Sequence, residues 1–492
     1  MNKKYKYLSK NFILFGISSF GPKIIAFLMV PLYTNCLSTA DYGIGDIVST
    51  SANLVLPIII LCIESAILRF CFDKEYESDE VISSGLFVCL KGMVLCAICT
   101  IIIGIIPFFK INTSYLVAFY LMVLSTGLYN VLTNYARGID KVQYMVEMSL
   151  ITTIASCVLN VVLLVVLKCG LNGYLIANYL GTFMAVAWGS VRLKIHKHIK
   201  FNKVNRTTVK ELQKFGFPLI FNKIGWWINS SSDRYIVTWI LGATANGIYT
   251  VSYKIPTMLT ACSDIFTQAW QLSAIKDFDP EDSDHFVADM YEAYNGFLVL
   301  CCSMLIILTI PFAHILYAKS FFVAWKYVPP LMISFVFGGL AGFLGSIFTA
   351  VKDTKIFSYS TMIGAVVNTI LNFVLVSYIG VMGAAVATLV SNIVIWLVRL
   401  QRSKRYIHIR VNFLKHTIMY ILLVVQFIVC LGGFTIVPVI IQLIILVALI
   451  AANRKLIINI MRKRKNNVSK IFTSLGEINY ENNRNNYISS LL

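Results

Sequence analysis

Charged side chains are scarce in this sequence, 13% of its 492 residues, against roughly 25% in an ordinary soluble domain. Acids are scarcer than bases, 23 against 42, which leaves a formal charge of +19. There is no H-E-x-x-H, no P-loop and no glycine fingerprint after a strand, so neither zinc-protease chemistry nor nucleotide binding has a foothold. The His residues, among them His196, His198, His285, His314 and His408, are scattered in loops or near span ends. The polar and apolar alternation of a transmembrane β-barrel is missing as well. No loop is long enough to form a soluble domain. That weighs against a membrane polymerase or ligase of glycan chains, which would need a large external loop bearing Arg or His. We therefore expect a non-enzyme with no catalytic residue, metal site or cofactor. Without an ATP site, its work would draw on an ion gradient, Na⁺ or H⁺, or on the substrate's own gradient.

What remains is apolar. Hydrophobic residues make up 58% of the chain, and the mean hydropathy is +0.76. Runs of about 20 such residues, each able to cross roughly 30 Å of hydrocarbon as a helix, recur from end to end. The pattern predicts an all-α polytopic membrane protein with about 14 transmembrane helices. They fall at 11–36, 43–68, 83–107, 114–136, 145–167, 171–191, 215–241, 247–273, 291–316, 328–350, 357–379, 381–400, 412–432 and 434–453. The first run, preceded by Lys3, Lys4, Lys6 and Lys10, is too long for a signal-peptide core and reads as a helix that stays. Cys96 and Cys99 form a C-x-x-C on an apolar helix and read as small packing residues.

The basic excess sits in loops and tails, where membrane topology accounts for it without nucleic acid. With the N-terminus in the cytoplasm, outside loops hold only Lys110, Lys168, Lys319 and Lys326. Inside loops such as Arg192–Lys214 and Arg399–Lys415 are rich in bases, so both termini are expected in the cytoplasm. A weak repeat overlies this topology. LSTADYGI at Leu37–Ile44 matches LGATANGI at Leu241–Ile248, and SCVLNVVL at Ser156–Leu163 echoes NTILNFVL at Asn368–Leu375. Six helices per repeat is an even number, so the halves form two parallel six-helix lobes. The expected division is an N-terminal lobe over 1–200, a C-terminal lobe over 201–402, two added helices over 403–453 and a disordered cytoplasmic tail over 454–492.

Ionisable residues inside spans are costly and mark candidate functional sites. The seventh span carries Lys223, Trp227, Ser230 and Arg234 at i, i+4, i+7 and i+11, one helical face. Asn222, Trp226, Asn229 and Asp233 form the adjacent stripe, and Tyr253, Thr257, Thr260, Asp264 and Gln268 repeat the spacing in the next span. Such stripes face either other helices, as hydrogen-bonding glue, or water. Arg234 and Lys254 both lie roughly 10 Å below the hairpin at Gly242–Asn246. Two cations at one depth suit a pyrophosphate, taken by Arg as a fork and by Lys as a point charge. Asp233 is the expected brace, and a structural Asp233–Arg234–Lys254 network is the alternative. In the first half, Lys23 follows Gly21-Pro22 on a helix expected to kink, and Glu64 and Lys91 lie at similar depth, with a simple ion pair between them as the plain alternative. Glu64 and Asp264 are the candidate carriers of a coupling ion. Asp46 and Arg69 sit near span ends, where they could snorkel, and carry little weight.

The opening KNFILFGISSFGPKIIAFLMVPLYTNCLSTADYGIGDIVS and the later SSSDRYIVTWILGATANGIYTVSYKI resemble Wzx-type polysaccharide flippases. These belong to the multidrug/oligosaccharidyl-lipid/polysaccharide (MOP) exporter superfamily. The resemblance covers about residues 8–400 plus the last two helices. It implies a two-lobed, V-shaped, MATE-like fold in the bacterial cytoplasmic membrane. It also implies the flipping of an undecaprenyl-pyrophosphate-linked oligosaccharide, for O-antigen or capsule, from the inner to the outer leaflet by alternating access. The partners it implies are the polyprenyl-linked glycan, membrane lipids and a polysaccharide polymerase or chain-length machinery. The family's cationic cavity residues carry over to Lys23, Lys223, Arg234 and Lys254, with Asp233, Asp264, Glu64 and Lys91 supporting and Trp226, Trp227 and Tyr253 as aromatic lining. A MATE-like ion-coupled exporter of small cations is the rival, but it would favour an acidic cavity. A major-facilitator transporter would need a basic loop where Asp73–Glu80 is acidic.

Overall fold

The computed structural model describes residues 21–73, 75–106, 111–199, 204–260, 263, 266–267, 270, 286–351, 353–407 and 412–454. Among these residues the regular elements are all helical, and the expected spans coincide with helix over nearly all of their described parts. Nine of the described helices are long and apolar enough to cross a membrane. The chain is an all-α polytopic membrane protein. It divides into two compact units, one formed by Met1–Phe278 with Leu308–Tyr406, the other by Asp279–Ile307 with Ile407–Leu492.

In the larger unit the elements are α1 (Val30–Cys36), α2 (Thr39–Ile59), α3 (Ile63–Cys71), α4 (Ser78–Ile105), α5 (Thr113–Gly138), α6 (Val142–Asn160), α7 (Gly170–Arg192), the single turn α8 (Ile195–His198), α9 (Arg206–Leu241) and α10 (Ala243–Ser252). They are followed by the end of α11 (Phe286–Leu316), a 3₁₀ segment (Lys319–Tyr327), α12 (Val328–Ala350), α13 (Thr354–Ile379) and α14 (Val381–Ser403). Short polar caps start several helices, satisfying orphan N–H groups that a bilayer cannot solvate. Ser38 accepts from the Asp41 N–H at 3.1 Å, Asn112 from Ser114 at 2.9 Å and Asn205 from Thr207 at 3.0 Å. The α9–α10 and α13–α14 hairpins turn on Gly242 and Gly380, at φ 86° and 62°, which only glycine adopts without cost.

The repeated hairpins meet each other. A Cβ on Gly43 would collide with the Ala243 carbonyl, and one on Gly247 with the Thr39 carbonyl. Residues 39 and 243, like 43 and 247, are equivalent in the LSTADYGI and LGATANGI repeat. The contact is therefore reciprocal, as across a two-fold axis. Lipid tails are as apolar as Leu, so membrane helices gain by close packing at small residues rather than by leaving water. Asn246 bridges the same junction, its amide donating to the Gly43 carbonyl at 3.1 Å. Nearby, Thr34 donates to the Leu316 carbonyl at 2.8 Å and Lys319 to the Asn35 carbonyl at 2.6 Å. At the other end of the bundle the basic connection is tied to the start of α4 by His198–Asp79 at 2.6 Å.

Expected spans depart from a continuous helix in places: 247–273 has a turn at 253–255, and 43–68 is broken between α2 and α3. Pro57 removes an N–H from α2, and the helix stops at Ile60. Leu61 and Cys62 then take left-handed conformations at φ 53° and 51° before α3 begins. Such values are costly for non-glycine residues and persist only where packing fixes them. Here the packing comes from Gly216 of α9, which lies so close to the Leu61 carbonyl that a Cβ would collide with it. The break turns Glu64, in the first turn of α3, toward α9.

The smaller unit combines the first part of α11 with α15 (Phe413–Cys430) and α16 (Ile436–Ala452). Polar contacts hold it: Tyr420 donates to Asn295 at 2.9 Å, Gln426 to the Ser303 carbonyl at 3.0 Å, and Lys415 pairs with Glu292 at 3.5 Å.

Candidate functional site

The long helix α9, 36 residues with Pro218 inside, carries most of the candidate residues. Its Lys223–Trp227–Arg234 stripe faces α2 and α3. The Lys223 ammonium meets the Glu64 carboxylate, and the Trp227 Nε1–H donates to the Thr50 carbonyl at 3.0 Å. The Arg234 guanidinium donates through Nη1 to Asp46 Oδ1 at 2.7 Å, and the side chains of both are largely buried. Asn246 holds the other oxygen of Asp46 at 3.3 Å. Asp46 is thus the partner of Arg234, although its place near a span end gave it little weight. Glu64 pairs with Lys223 rather than Lys91.

Asp233 makes no side-chain hydrogen bond to the guanidinium of its neighbour, although the two charges lie in each other's field. It is buried, accepting from the hydroxyls of Tyr249 at 2.5 Å and Tyr253 at 2.9 Å and from the Arg234 backbone N–H at 2.9 Å. Tyr253 lies beneath the guanidinium, 5.7 Å from its carbon to the ring centroid. Lys254 is half-buried in the field of Asp46, Arg234 and Tyr174. Among the described residues no carboxylate lies within ion-pair distance of it. Lys254 lies in the field of Arg234, and the carboxylate that pairs with the Arg234 guanidinium is Asp46.

Three cavities adjoin this scaffold, and Trp226 lines all three. The first, of about 630 Å³, is an apolar slot between α9 and α13. The second, of about 590 Å³, is the more polar of the two although much of its wall is apolar, and is lined by Arg234, Tyr253, Asn229, Ser230, Thr257, Thr388 and Arg399. The third, of about 370 Å³, is bounded by Asn53, Asn130, Glu64 and Lys223. Arg234, Lys223, Trp226 and Tyr253 are therefore brought to cavity walls. Trp227 packs against Tyr235 and is absent from these three linings. Lys23 and Lys91 are exposed and line none of them, Lys91 standing among the exposed side chains of Leu90, Val94 and Leu95. Asp264 lies outside the described residues.

Sequence reasoning missed Arg399. It was assigned to an inside basic loop, yet it lies within α14 and is only 4% exposed. Its Nε donates to Ser360 at 2.9 Å, Nη1 to the Ala341 carbonyl at 2.7 Å, and Nη2 to Thr361 at 3.0 Å and to the Phe357 carbonyl at 3.4 Å. The Phe357 ring lies 4.3 Å from the guanidinium carbon. Every one of these partners is uncharged, and among the described residues Arg399 forms no ion pair. The available signal was its position inside an apolar run, with Trp396 and Leu400 beside it.

A family model described as a polysaccharide biosynthesis protein matches residues 8–270. No curated protein matches by sequence. Among solved structures, the chain is similar to a lipid II flippase MurJ in an inward closed conformation, with a TM-score of 0.66 and 17% identity over 90% of this chain and 100% of that one. It is also similar to an inward-facing multidrug resistance MATE family transporter of the MOP superfamily, with a TM-score of 0.54 and 15% identity over 78% of this chain and 97% of that one. At these identities the likeness concerns the fold.

Proposed function

Because the chain belongs to the polysaccharide biosynthesis protein family, we propose that it flips an undecaprenyl-pyrophosphate-linked oligosaccharide from the inner to the outer leaflet of the bacterial cytoplasmic membrane. The product would feed surface polysaccharide synthesis, as O-antigen or capsule, through a polymerase or chain-length machinery. The observation that carries this reading is the polar cavity with an arginine at each end, inside an all-α membrane fold. Hydroxyl and amide groups suit sugars, and guanidinium groups suit a pyrophosphate. Movement would proceed by alternating access between the two lobes. With both termini cytoplasmic, the reciprocal Gly43–Gly247 contact lies at the outer end and acts as its seal. Lys254 is next in sequence to the cavity residue Tyr253, though outside the cavity's lining, and has no carboxylate in reach among the described residues; it is the residue through which the headgroup is tested.

The chain reconstituted in liposomes with the lipid-linked oligosaccharide should render the glycan accessible to an external lectin over time. Lys254→Gln should slow this strongly and Lys254→Arg mildly, at equal insertion. Liposomes that move a small organic cation and leave the glycolipid in place would instead establish a MATE-like ion-coupled exporter.

A further inference from the structure

The polar cavity and the apolar slot share walls. Trp226, Phe357 and Thr361 line both, and Arg399 touches two of the three. Its guanidinium lies over the Phe357 ring and donates to Thr361, so it stands at the place where a polar space turns into an apolar one. A lipid pyrophosphate has the same division. Its phosphates are the atoms that join a polar head to an apolar tail. We propose that Arg399 holds the phosphate of the lipid-linked substrate at this junction, with the isoprenoid chain lying in the slot between α9 and α13. The proposal rests on the lipid-linked reading given above and adds to it a phosphate group and a tail path.

Four observations support the assignment. Arg399 is buried, yet its neighbours are hydroxyls and carbonyls, so a bound anion would find a cation that no carboxylate among the described residues has neutralised. Four of its five N–H bonds are accounted for, one on Nη1 is left over, and the bond to the Phe357 carbonyl is the longest at 3.4 Å. A guanidinium with a spare donor and a weak one can take a phosphate in its forked geometry. Beside it, Gly345 on the cavity wall lets the Phe357 ring and the guanidinium pack against α12, where a Cβ would stand 2.7 Å from the ring and 2.9 Å from Nη1. The slot supplies the other half. Phe221, Met362, Val366 and Ile370 line it with exposed apolar side chains, and it follows α13 from Phe357 to Ile370. At 1.5 Å per residue that path is about 20 Å, most of the hydrocarbon thickness. A chain lying there stays among apolar atoms while its phosphate reaches the cavity.

The test uses the purified full-length chain in lipid nanodiscs and three probes: undecaprenyl pyrophosphate, undecaprenol and inorganic pyrophosphate. Arg399→Gln should weaken undecaprenyl pyrophosphate binding by about tenfold or more, the usual weight of hydrogen bonds to a charged group, and leave undecaprenol binding unchanged. Met362→Trp, which fills the slot, should weaken both lipids and spare inorganic pyrophosphate. If Arg399→Gln fails to fold, Arg399→Lys decides. It keeps the charge and loses the fork, and affinity equal to wild type would overturn the phosphate assignment. A folded Arg399→Gln chain with wild-type affinity, or one that loses both lipids equally, overturns it as well. A Met362→Trp chain that binds both lipids normally overturns the tail path. A wild-type chain that binds none of the three probes refutes the lipid-linked reading itself.

Discussion

The two arginines at opposite ends of the polar cavity are held in opposite ways. Arg234 is locked to Asp46 at 2.7 Å, with Asn246 closing the other side of the carboxylate. Arg399 is held by carbonyls, hydroxyls and an aromatic face, with no acid in its shell among the described residues. A buried ion pair is weak evidence of net stabilisation, but removing one partner strands the other charge. A buried cation held only by dipoles strands no opposite charge when it is removed, only the weaker cost of acceptors that lose a donor. The Arg234 end is therefore neutralised by its own ion pair, next to the glycine contact, and the Arg399 end keeps a cation without an acid among the described residues, which is why the phosphate is proposed there. The same division separates Lys223, neutralised by Glu64, from Lys254.

The sharpest way to break this contrast is to remove one member at each end. Asp46→Ala leaves the Arg234 guanidinium without its acid and should cost about 3–5 kcal/mol in denaturant unfolding of the purified chain. Arg399→Met removes the charge together with its need for partners, and should cost only about 1–2 kcal/mol. Equal losses would show that the two arginines serve the same structural purpose. The smallest effect belongs to the loop that positions Phe357 and Thr361. Asp353 caps α13 and accepts from the Tyr406 hydroxyl at 2.5 Å, a bond that holds its carboxyl below the usual carboxylate range. A lowered folded-state value gives stability that is present at neutral pH and lost as the pH falls through that value. Tyr406→Phe should therefore lower the melting temperature slightly at neutral pH and leave it unchanged in acid. A shift that persists in acid would assign the bond to packing alone.

The positions of the helices were legible because a span needs only apolar length, and length is written in the sequence. The hairpin turns were legible for a similar reason, since Gly242 and Gly380 are local requirements of the backbone. The repeat was readable at Gly43 and Gly247 because close packing admits no side chain at either position. Periodicity also placed Lys223 and Arg234 on one face of α9. What that face meets is a different kind of fact. Asp46 and Arg234 are 188 positions apart and Glu64 and Lys223 are 159 apart, and no local pattern links them. The break at Leu61 and Cys62 was equally silent, because the backbone of α9 at Gly216 fixes it. Lys91 looked like a buried cation by depth, and only the packing of α4 shows that it faces outward.

By itself, the sequence determined that this chain is a bundle of membrane helices with charges placed inside them, because hydrophobicity and helical period are properties of neighbouring residues. Tertiary structure alone decided which charges meet an acid and which are held by dipoles. Electrostatic energy depends on distance in space, and in a low-dielectric interior a few ångströms separate a paired cation from one held by dipoles alone.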